Sequence, residues 1–417
     1  MSGRSRIRAR TMRLLALVAV SAATFPTVCA SCDDQDAVAS KLTAAISDHD
    51  IKWGITVDVP VALGPDERLD VPVALVNLSD TTSVSMDCIE IFEGVEPGTI
   101  LGVFHCGQGG EEGRNALYVA QAEAVNGSVP GKGDWIVTGK LSASASMGHV
   151  VRAPDGEQIL LAYELESPSG NRVAIRLYPS LADLASGGYW LREVQLTRDV
   201  VGADGGAISA GNVGTPSIRA VTANEDGSLA LALFFHYYTS SDLPGVGSVT
   251  FPATGDGVVS EWYEWSAEFA ADQNNAMRMA QAVGKIGQRA ELDLANGGHV
   301  QLYEAQMADA GEEYYGWLSW RLFVYELGCE GQPASQLNLT LDSHLQTFAN
   351  PHASVVGDWL YVGAFVPSEP YDAAKAESYA SYDSAKCPSC ASHPMAGAGA
   401  PAQPGSFLVS VRLSGVV

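Results

Sequence analysis

Residues 147–164 read MGHVVRAPDGEQILLAYE, which is an apolar run, a Pro-Asp-Gly turn and a second apolar run. Two short apolar runs joined by such a turn predict a pair of antiparallel strands. A similar pattern recurs three times further along the chain, each time with a small-residue start and a Gly-containing turn. The four copies span residues 148–163, 214–233, 287–303 and 350–364.

The copies are evenly spaced, because their starts at 148, 214, 287 and 350 are 66, 73 and 63 residues apart. Further strand material, such as residues 171–178 and 317–325, lies between them. About four short strands per unit of this length are typical of a β-propeller blade. We therefore expect an all-β fold, a β-propeller with five blades, and the alternative is a large or tandem β-sandwich. Residues 117–141, with help from those before them, supply the fifth blade, and a final strand at 407–413 closes the ring.

The copies that begin with Gly-Thr-Pro-Ser-Ile at 214–218 and Asn-Pro-His at 350–352 carry a resemblance. Together with the spacing, they resemble the five-bladed β-propellers, the fold of several glycoside hydrolase families. The resemblance covers residues 113–417 and concerns architecture. It implies a binding site on the propeller axis and, for a hydrolase, an Asp base at the start of an innermost strand. No Asp stands at these starts here.

The N-terminus predicts export. Five arginines within residues 4–13 precede an apolar segment at 14–23, which is typical of a signal peptide. We expect a signal peptide at 1–30, a short helix and β segment at 31–112, and the propeller-like domain at 113–417. The small residues before Ser31 suit cleavage by ordinary signal peptidase. We therefore expect a periplasmic, cell-surface or secreted protein. Ala30-Ser31-Cys32 also resembles a lipoprotein box, so a lipid anchor at Cys32 stays open.

The cysteines are expected to form disulfide bonds, because an exported protein meets an oxidising compartment. Cys88 and Cys106 flank a predicted hairpin, so we pair them. Cys387 and Cys390 lie in a loop rich in Ala, Gly and Pro, which favours a structural bond, either with each other or with Cys329, over redox chemistry.

The chain is acidic, with a formal net charge of −24. This charge repels phosphate backbones and anionic lipids, so nucleic acid is excluded as a partner and the membrane is reached only through the possible anchor. The acidity is typical of a soluble exported protein. No calcium-loop motif is present in the sequence.

The starts of the copies nominate residues that converge on the propeller axis, where ligand sites lie. They are His149, Thr215, Gln288, Arg289, Glu291 and His352. Glu291 and Asp293 share a strand face because side chains alternate, so they are the candidate catalytic carboxylates. A second carboxylate comes from Glu164 or Glu304 of another blade. His149, Arg289 and His352 are the candidate binding residues.

Two aromatic clusters are the remaining binding signal, with Trp262 and Trp317 as the residues that could stack on sugar rings. Packing between blades is the alternative role for them. The histidines lack metal-binding spacing, so we expect no metal ion and no cofactor.

Two functions remain open. The first is a non-catalytic binding module that recognises a glycan or an extracellular protein across the propeller face. The missing Asp at the strand starts favours it. The alternative is a divergent glycoside hydrolase with a carboxylate pair in the propeller funnel.

Overall fold

The computed structural model describes most of the region after residue 82 and parts of the region before it. The described residues are 33–47, 52–53, 56–58, 83–106, 114–124, 134–168, 170–196, 212–238, 242–260, 266–280, 282–293, 298–307, 320–337, 349–366 and 405–412. Within them, no helix is long and apolar enough to cross a membrane. The helices are α1 (Asp33–Ser47), α2 (Leu181–Ala185) and α3 (Ala271–Met279).

Strands dominate the described residues, as the sequence predicts. The first twelve are β1 (Lys52–Trp53), β2 (Thr56–Asp58), β3 (Ser83–Ser85), β4 (Asp87–Glu93), β5 (Thr99–Cys106), β6 (Ala116–Glu123), β7 (Ile136–Ser142), β8 (Ala145–Arg152), β9 (Ile159–Leu165), β10 (Arg172–Tyr178), β11 (Arg192–Gln195) and β12 (Asn212–Ala223). The others are β13 (Leu229–Tyr238), β14 (Asp242–Phe251), β15 (Gly257–Ser260), β16 (Ser266–Phe269), β17 (Ala282–Asp293), β18 (His299–Met307), β19 (Trp320–Glu326), β20 (Ser335–Gln336), β21 (Ala349–Val356), β22 (Trp359–Val366) and β23 (Gly405–Arg412).

The described strands form five sheets. Sheet 1 has the order β4-β5-β6-β7-β2-β3, sheet 2 the order β8-β9-β10-β11-β15, sheet 3 the order β12-β13-β14-β16, sheet 4 the order β17-β18-β19-β20, and sheet 5 the order β21-β22-β23-β1. In each sheet the first strand named is an edge strand. The four repeat copies form the first two strands of sheets 2 to 5.

The five first strands surround an axis. β4 contacts β8, β8 contacts β12, β12 contacts β17, β17 contacts β21, and β21 contacts β4. A closed ring of edge strands with each sheet extending outward is the arrangement of a β-propeller, so the predicted fold class is confirmed. The chain closes the ring in sheet 5, where Lys52 and Trp53 pair with Leu408 and Phe407 of the last strand.

Sheet 1 begins inside the segment that the sequence analysis set apart as N-terminal. β4 pairs with β5, β5 with β6 and β6 with β7, so the sheet joins strands on both sides of residue 113. The hairpin of β4 and β5 lacks the small-residue start of the other copies, which is why the repeat pattern did not reveal it.

Apolar side chains fill the spaces between neighbouring sheets. Trp135 of sheet 1 packs with Tyr361 of sheet 5, Leu117 of sheet 1 packs with Leu161 of sheet 2, and Ile175 of sheet 2 packs with Phe235 of sheet 3. These side chains are at most 3% exposed. Because sheets 1 and 2 bury both faces in this way, their inner strands read as nearly continuous apolar runs.

The predicted N-terminal helix is confirmed as α1, which lies against sheet 4 and β23. Its Gln35 is 3% exposed and uses both ends of its amide. The amide nitrogen donates to the carbonyl oxygen of Pro333 at 2.6 Å, and the amide oxygen accepts from the backbone N–H of Glu326 at 3.2 Å. The helix is thereby fixed to the outer strands of sheet 4.

Gly139 is expected to be a sensitive position for stability. A Cβ atom there would lie 2.3 Å from the backbone nitrogen of Gly187 and 2.4 Å from the carbonyl carbon of Ser186. Since backbone cannot rotate away as a side chain can, Gly139→Ala should lower the free energy of unfolding by about 3 kcal/mol. Urea denaturation measures the change.

Gly357→Ala is the control for this prediction. Its Cβ would meet open space, although its φ of +57° is left-handed, so only the backbone strain of about 1–2 kcal/mol applies. A Gly139→Ala protein as stable as the parent would contradict the close approach of β7 to the end of α2.

Candidate active site

The first strands of the five sheets, β4, β8, β12, β17 and β21, are called the axial strands. Four of them share a backbone irregularity that is followed by a polar side chain on the axis. Near the start of each, two residues stand opposite one on the neighbouring strand, which is a β-bulge. The residues that follow the bulge are Glu90 in β4, His149 in β8, Ser217 in β12 and His352 in β21.

The bulge requires unusual backbone in three of these strands. The φ angles are +50° at Cys88, +54° at Met147 and +43° at Thr215. Non-glycine residues rarely adopt this region, and such strain is concentrated at functional sites. The repeated bulge therefore indicates that the position of the axial side chains has a functional role.

The four axial residues are in contact across three sheet boundaries. His352 Nδ1 lies 2.8 Å from Glu90 Oε2, and His149 Nε2 lies 3.8 Å from Glu90 Oε1. Ser217 Oγ lies 3.4 Å from His149 Nε2. We call Ser217, His149, Glu90 and His352 the axial polar ring.

Glu90 is held as a carboxylate. Its side chain is 5% exposed, and burial alone would raise its pKa. The imidazole of His352, 2.8 Å away, and the hydroxyl of Ser354 stabilise the carboxylate more than burial destabilises it, and they leave the pKa of Glu90 below its usual value. Ser354 Oγ donates to Glu90 Oε2 at 2.9 Å while accepting from the backbone N–H of Ile91.

A cavity of about 300 Å³ opens on the axial polar ring. Glu90, His149 and Ser217 line it at the ring, and Arg152, Arg219 and Glu291 are also in its wall. The volume lies at the lower end of the range for small-molecule sites. The cavity thus brings carboxylates from sheets 1 and 4 to one space.

Glu291 is the second carboxylate of the cavity, and three donors fix it. Its Oε2 lies 2.6 Å from His299 Nε2 and 3.5 Å from Arg219 Nε. Its Oε1 accepts from Gln301 Nε2 at 3.2 Å. Gln301 is in turn held by the hydroxyl of Tyr303, which donates to its amide oxygen at 2.7 Å. Sheet 4 therefore orients Glu291 by a chain of buried hydrogen bonds.

The structure brings together some of the residues nominated from the sequence. Glu291 and His149 line the cavity, and His352 contacts Glu90 directly behind it. Arg289 and Asp293 lie on β17, but their side chains fall outside what the structure describes. Trp262 and Trp317 also lie outside the described residues, so their proposed stacking role stays a prediction.

The two carboxylates that were nominated as partners of Glu291 lie elsewhere. Glu164 accepts from Asn171 Nδ2 and from the backbone N–H of Thr215 at 3.1 Å. Glu304 is 2% exposed and packs under Gly287. Neither belongs to the residues that line the cavity. Glu164 instead supports the bulge of β12 by holding its strained Thr215.

Glu90 and Arg219 are two of the polar cavity residues that were not nominated from the sequence, and Arg152, Ser217 and Ser354 are the others. Glu90 lies between two buried isoleucines, Ile89 and Ile91, in the middle of β4. An isolated charge at a buried strand position was the available signal, because such a residue needs a partner or a function. Arg219 follows Ile218 on β12, with its guanidinium 5.2 Å from the centre of the Phe234 ring.

Cys88 and Cys106 are both buried thiols in the structure, so the disulfide bond expected between them is absent from it. Asp87 lies opposite His105, which places the two cysteines on either side of that pair rather than opposite each other. Cys329 is buried. Cys387, Cys390 and Cys32 lie outside the described residues, so their pairing and the lipid anchor stay predictions.

Among the residues that the structure describes, no group of three or more His, Cys, Asp or Glu side chains is placed to hold a metal ion.

No protein-family model matches the chain, and no curated protein matches it. Solved structures with a similar arrangement include the alpha-L-arabinofuranosidase from Podospora anserina in complex with cellotriose, at 10% identity and a TM-score of 0.41, covering 87% of this chain and 98% of that chain. The endo-arabinase from Bacteroides thetaiotaomicron has 10% identity and a TM-score of 0.37, covering 68% and 90%. A GH43 endo-arabinanase from Bacillus licheniformis has 11% identity and a TM-score of 0.39, covering 67% and 89%.

The expectation of a non-catalytic binding module is corrected. The solved structures named above are an arabinofuranosidase, an endo-arabinase and an endo-arabinanase, and another with a similar arrangement is a family-43 glycoside hydrolase. The expectation depended on the lack of an Asp where the innermost strands begin. Glu90 occupies that position, on the one axial strand that lies outside the four repeat copies.

Proposed function

We propose that the protein is a glycoside hydrolase whose active site is the axial cavity. The observation that carries the proposal is that Glu90 and Glu291, from the axial strands of two different sheets, line the same cavity. Glycoside hydrolysis requires two carboxyl groups flanking the bond, one that delivers a proton and one that attacks or activates water. The alternative that the sequence left open is therefore the one that the geometry supports.

Glu90 is suited to be the general base. A base must be unprotonated at the working pH, and the contacts with His352 and Ser354 keep the pKa of Glu90 below its usual value. In this role Glu90 takes a proton from a water molecule as the water oxygen attacks the anomeric carbon. His352 and Ser354 hold the carboxylate in place during the transfer.

Glu291 and His299 are suited to supply the other proton. The 2.6 Å contact between Glu291 Oε2 and His299 Nε2 lets the two groups share one proton. In the protonated state, the pair delivers that proton to the glycosidic oxygen as the bond to the anomeric carbon breaks. Arg219, 3.5 Å from the same oxygen, then faces the charge that remains on Glu291.

The substrate we propose is a glycan outside the cytoplasm. The predicted signal peptide supports this location. The cavity is lined by carboxylates, an imidazole and aliphatic side chains, and this combination suits a sugar, which has both hydroxyl groups and C–H faces.

Release of reducing ends from a panel of glycans tests the proposal. The panel holds arabinan, xylan, mannan and galactan with the matching aryl glycosides. The wild-type chain should cleave at least one member, and Glu291→Gln should lower kcat by about 10²–10⁴-fold on it. Glu157→Gln, in the exposed turn between β8 and β9 and outside the cavity lining, is the control and should leave kcat unchanged. A wild-type chain that cleaves nothing, or a fully active Glu291→Gln, would contradict the proposal.

A further inference from the structure

We propose that His149 is a neutral hydrogen-bond donor for a hydroxyl group of the bound sugar, locked in one tautomer by the backbone of β12. The identity of the ligand as a sugar rests on the proposed function. The tautomer rests on contacts within the protein alone, so the two parts can be tested separately.

The backbone N–H of Ile218 fixes which ring nitrogen of His149 carries the proton. This N–H lies 3.2 Å from His149 Nδ1 and points at it. A backbone N–H can only donate, so Nδ1 must accept and carries no proton. In a neutral imidazole the proton is then on Nε2. The contact joins sheet 2 to sheet 3, and the bulges on both axial strands set its geometry.

The Nε2–H of His149 has no close hydrogen-bond acceptor among the other members of the axial polar ring. Its neighbours are Ser217 Oγ at 3.4 Å and Glu90 Oε1 at 3.8 Å. Both distances exceed the usual range of about 2.7–3.2 Å for N–H···O hydrogen bonds. Because His149 lines the cavity, a ligand oxygen placed there can accept this hydrogen bond at normal length.

The surroundings also keep His149 neutral. The charged and titratable groups that face it are Glu90 from β4, His352 from β21 and Glu291 from β17. Burial lowers the pKa of His149, and the neighbouring His352 lowers it further, whereas the two carboxylates raise it, and the pKa ends below its usual value. A second proton would also have to sit on Nδ1, directly against the N–H of Ile218.

These contacts favour an uncharged hydroxyl group over a carboxylate as the partner of His149. The ring carries no positive charge to offset an anion, and the carboxylate of Glu90 lies on the same side of the cavity. A hydroxyl group can accept from Nε2–H and donate to Glu90 Oε1 at the same time. The two arginines of the cavity wall, Arg152 and Arg219, already face Glu93 and Glu291, so the expected ligand is a neutral sugar ring rather than a uronic acid.

Nitrogen NMR of the full chain labelled with ¹⁵N-histidine tests the tautomer without any need for activity. The signals of His149 are assigned by their loss in His149→Gln. At pH 7.5, long-range ¹H–¹⁵N spectra should show Nε2 protonated and Nδ1 unprotonated, and any titration of the ring should fall below that of an ordinary histidine, near 6.5. A protonated Nδ1 at pH 7.5, or a titration at or above about 6.5, would overturn the proposal.

Two variants separate the donor from the packing of the ring. His149→Gln can place an amide N–H near the position of Nε2, whereas the shorter side chain of His149→Asn reaches only the position of Nδ1 and keeps an acceptor for Ile218. Calorimetry with methyl α-L-arabinofuranoside, methyl β-D-xylopyranoside and methyl β-D-glucuronide measures the Kd of each protein. His149→Asn should weaken binding of a neutral glycoside about tenfold, the loss of one hydrogen bond, and His149→Gln should stay within about threefold of wild type.

The outcomes distinguish this proposal from the proposed function. Equal affinities of His149→Asn and His149→Gln, or tighter binding of the glucuronide than of the neutral glycosides, would overturn the role of His149. Binding of a neutral glycoside with the expected tautomer, but without hydrolysis of any panel member, would leave the role of His149 standing and remove the hydrolase. A wild-type chain that binds none of the three glycosides would overturn the sugar as its ligand.

Discussion

Glu90→Gln is expected to lower kcat on the cleaved glycan by about 10²–10⁴-fold, with a smaller effect on KM. The amide keeps the size of the side chain and can still accept from Ser354, but it cannot remove a proton from water. The charge that pairs with His352 at 2.8 Å also disappears. Initial rates of reducing-end release at substrate concentrations on both sides of KM measure the two parameters.

Glu123→Gln is the matched control for Glu90→Gln. Glu123 is an exposed residue at the end of β6 in the same sheet, so its amide should leave kcat and KM at wild-type values. Far-UV circular dichroism of both variants shows that the sheets are intact. If folded Glu90→Gln retained more than about a tenth of the wild-type kcat, Glu90 could not be the general base.

Arg176→Met is expected to be the most destabilising of the charge-removing variants, lowering the free energy of unfolding by about 3–5 kcal/mol. Arg176 on β10 lies 2.6 Å from Glu193 on β11, and the two side chains are 10% and 3% exposed. The guanidinium also donates to the carbonyl oxygen of Leu141 and stacks on the rings of Tyr163 and Trp190. Removing it leaves a buried carboxylate whose remaining donors are neutral.

The double variant Arg176→Met/Glu193→Leu is the control that isolates the buried charge. Because it removes both partners, it should recover most of the lost stability. Arg152→Met breaks the exposed pair with Glu93, whose side chains are 36% and 49% exposed, and should cost less than about 1 kcal/mol. Urea denaturation at pH 7 gives all three values. A loss for Arg176→Met as small as that for Arg152→Met would contradict the buried pair.

The sequence predicted the parts of the fold that depend on local patterns. The helix α1 has apolar residues at helical spacing, and the four hairpins of sheets 2 to 5 share a turn with glycine between two apolar runs. These signals lie within about twenty residues of chain, where side-chain periodicity is directly visible. The hairpin of β4 and β5 lacks the small residues with which the four copies begin, and only the contacts of β4 with β8 and β21 place it on the axis.

The candidate site was predicted in part, because a bulge decides which residues face the axis. A shift of one residue turns every later side chain of a strand to the other face. His149 and His352 were nominated because each lies near the start of its strand, and each follows the bulge of that strand. Glu90 contacts His352 and Ser354, and each of these two residues is more than 250 positions away from it in the sequence. No local sequence pattern indicates contacts over such a separation.

The central claim is that a glycosidic bond is broken in the axial cavity. Its most direct test is a crystal structure of the Glu90→Gln chain, soaked with the panel glycan that the wild type cleaves fastest. The account predicts a sugar ring inside the cavity, with its anomeric carbon between residues 90 and 291 and a hydroxyl group within hydrogen-bond distance of His149 Nε2. A sugar bound only on the outer strands of the sheets, with the axial cavity empty of it, would contradict the account.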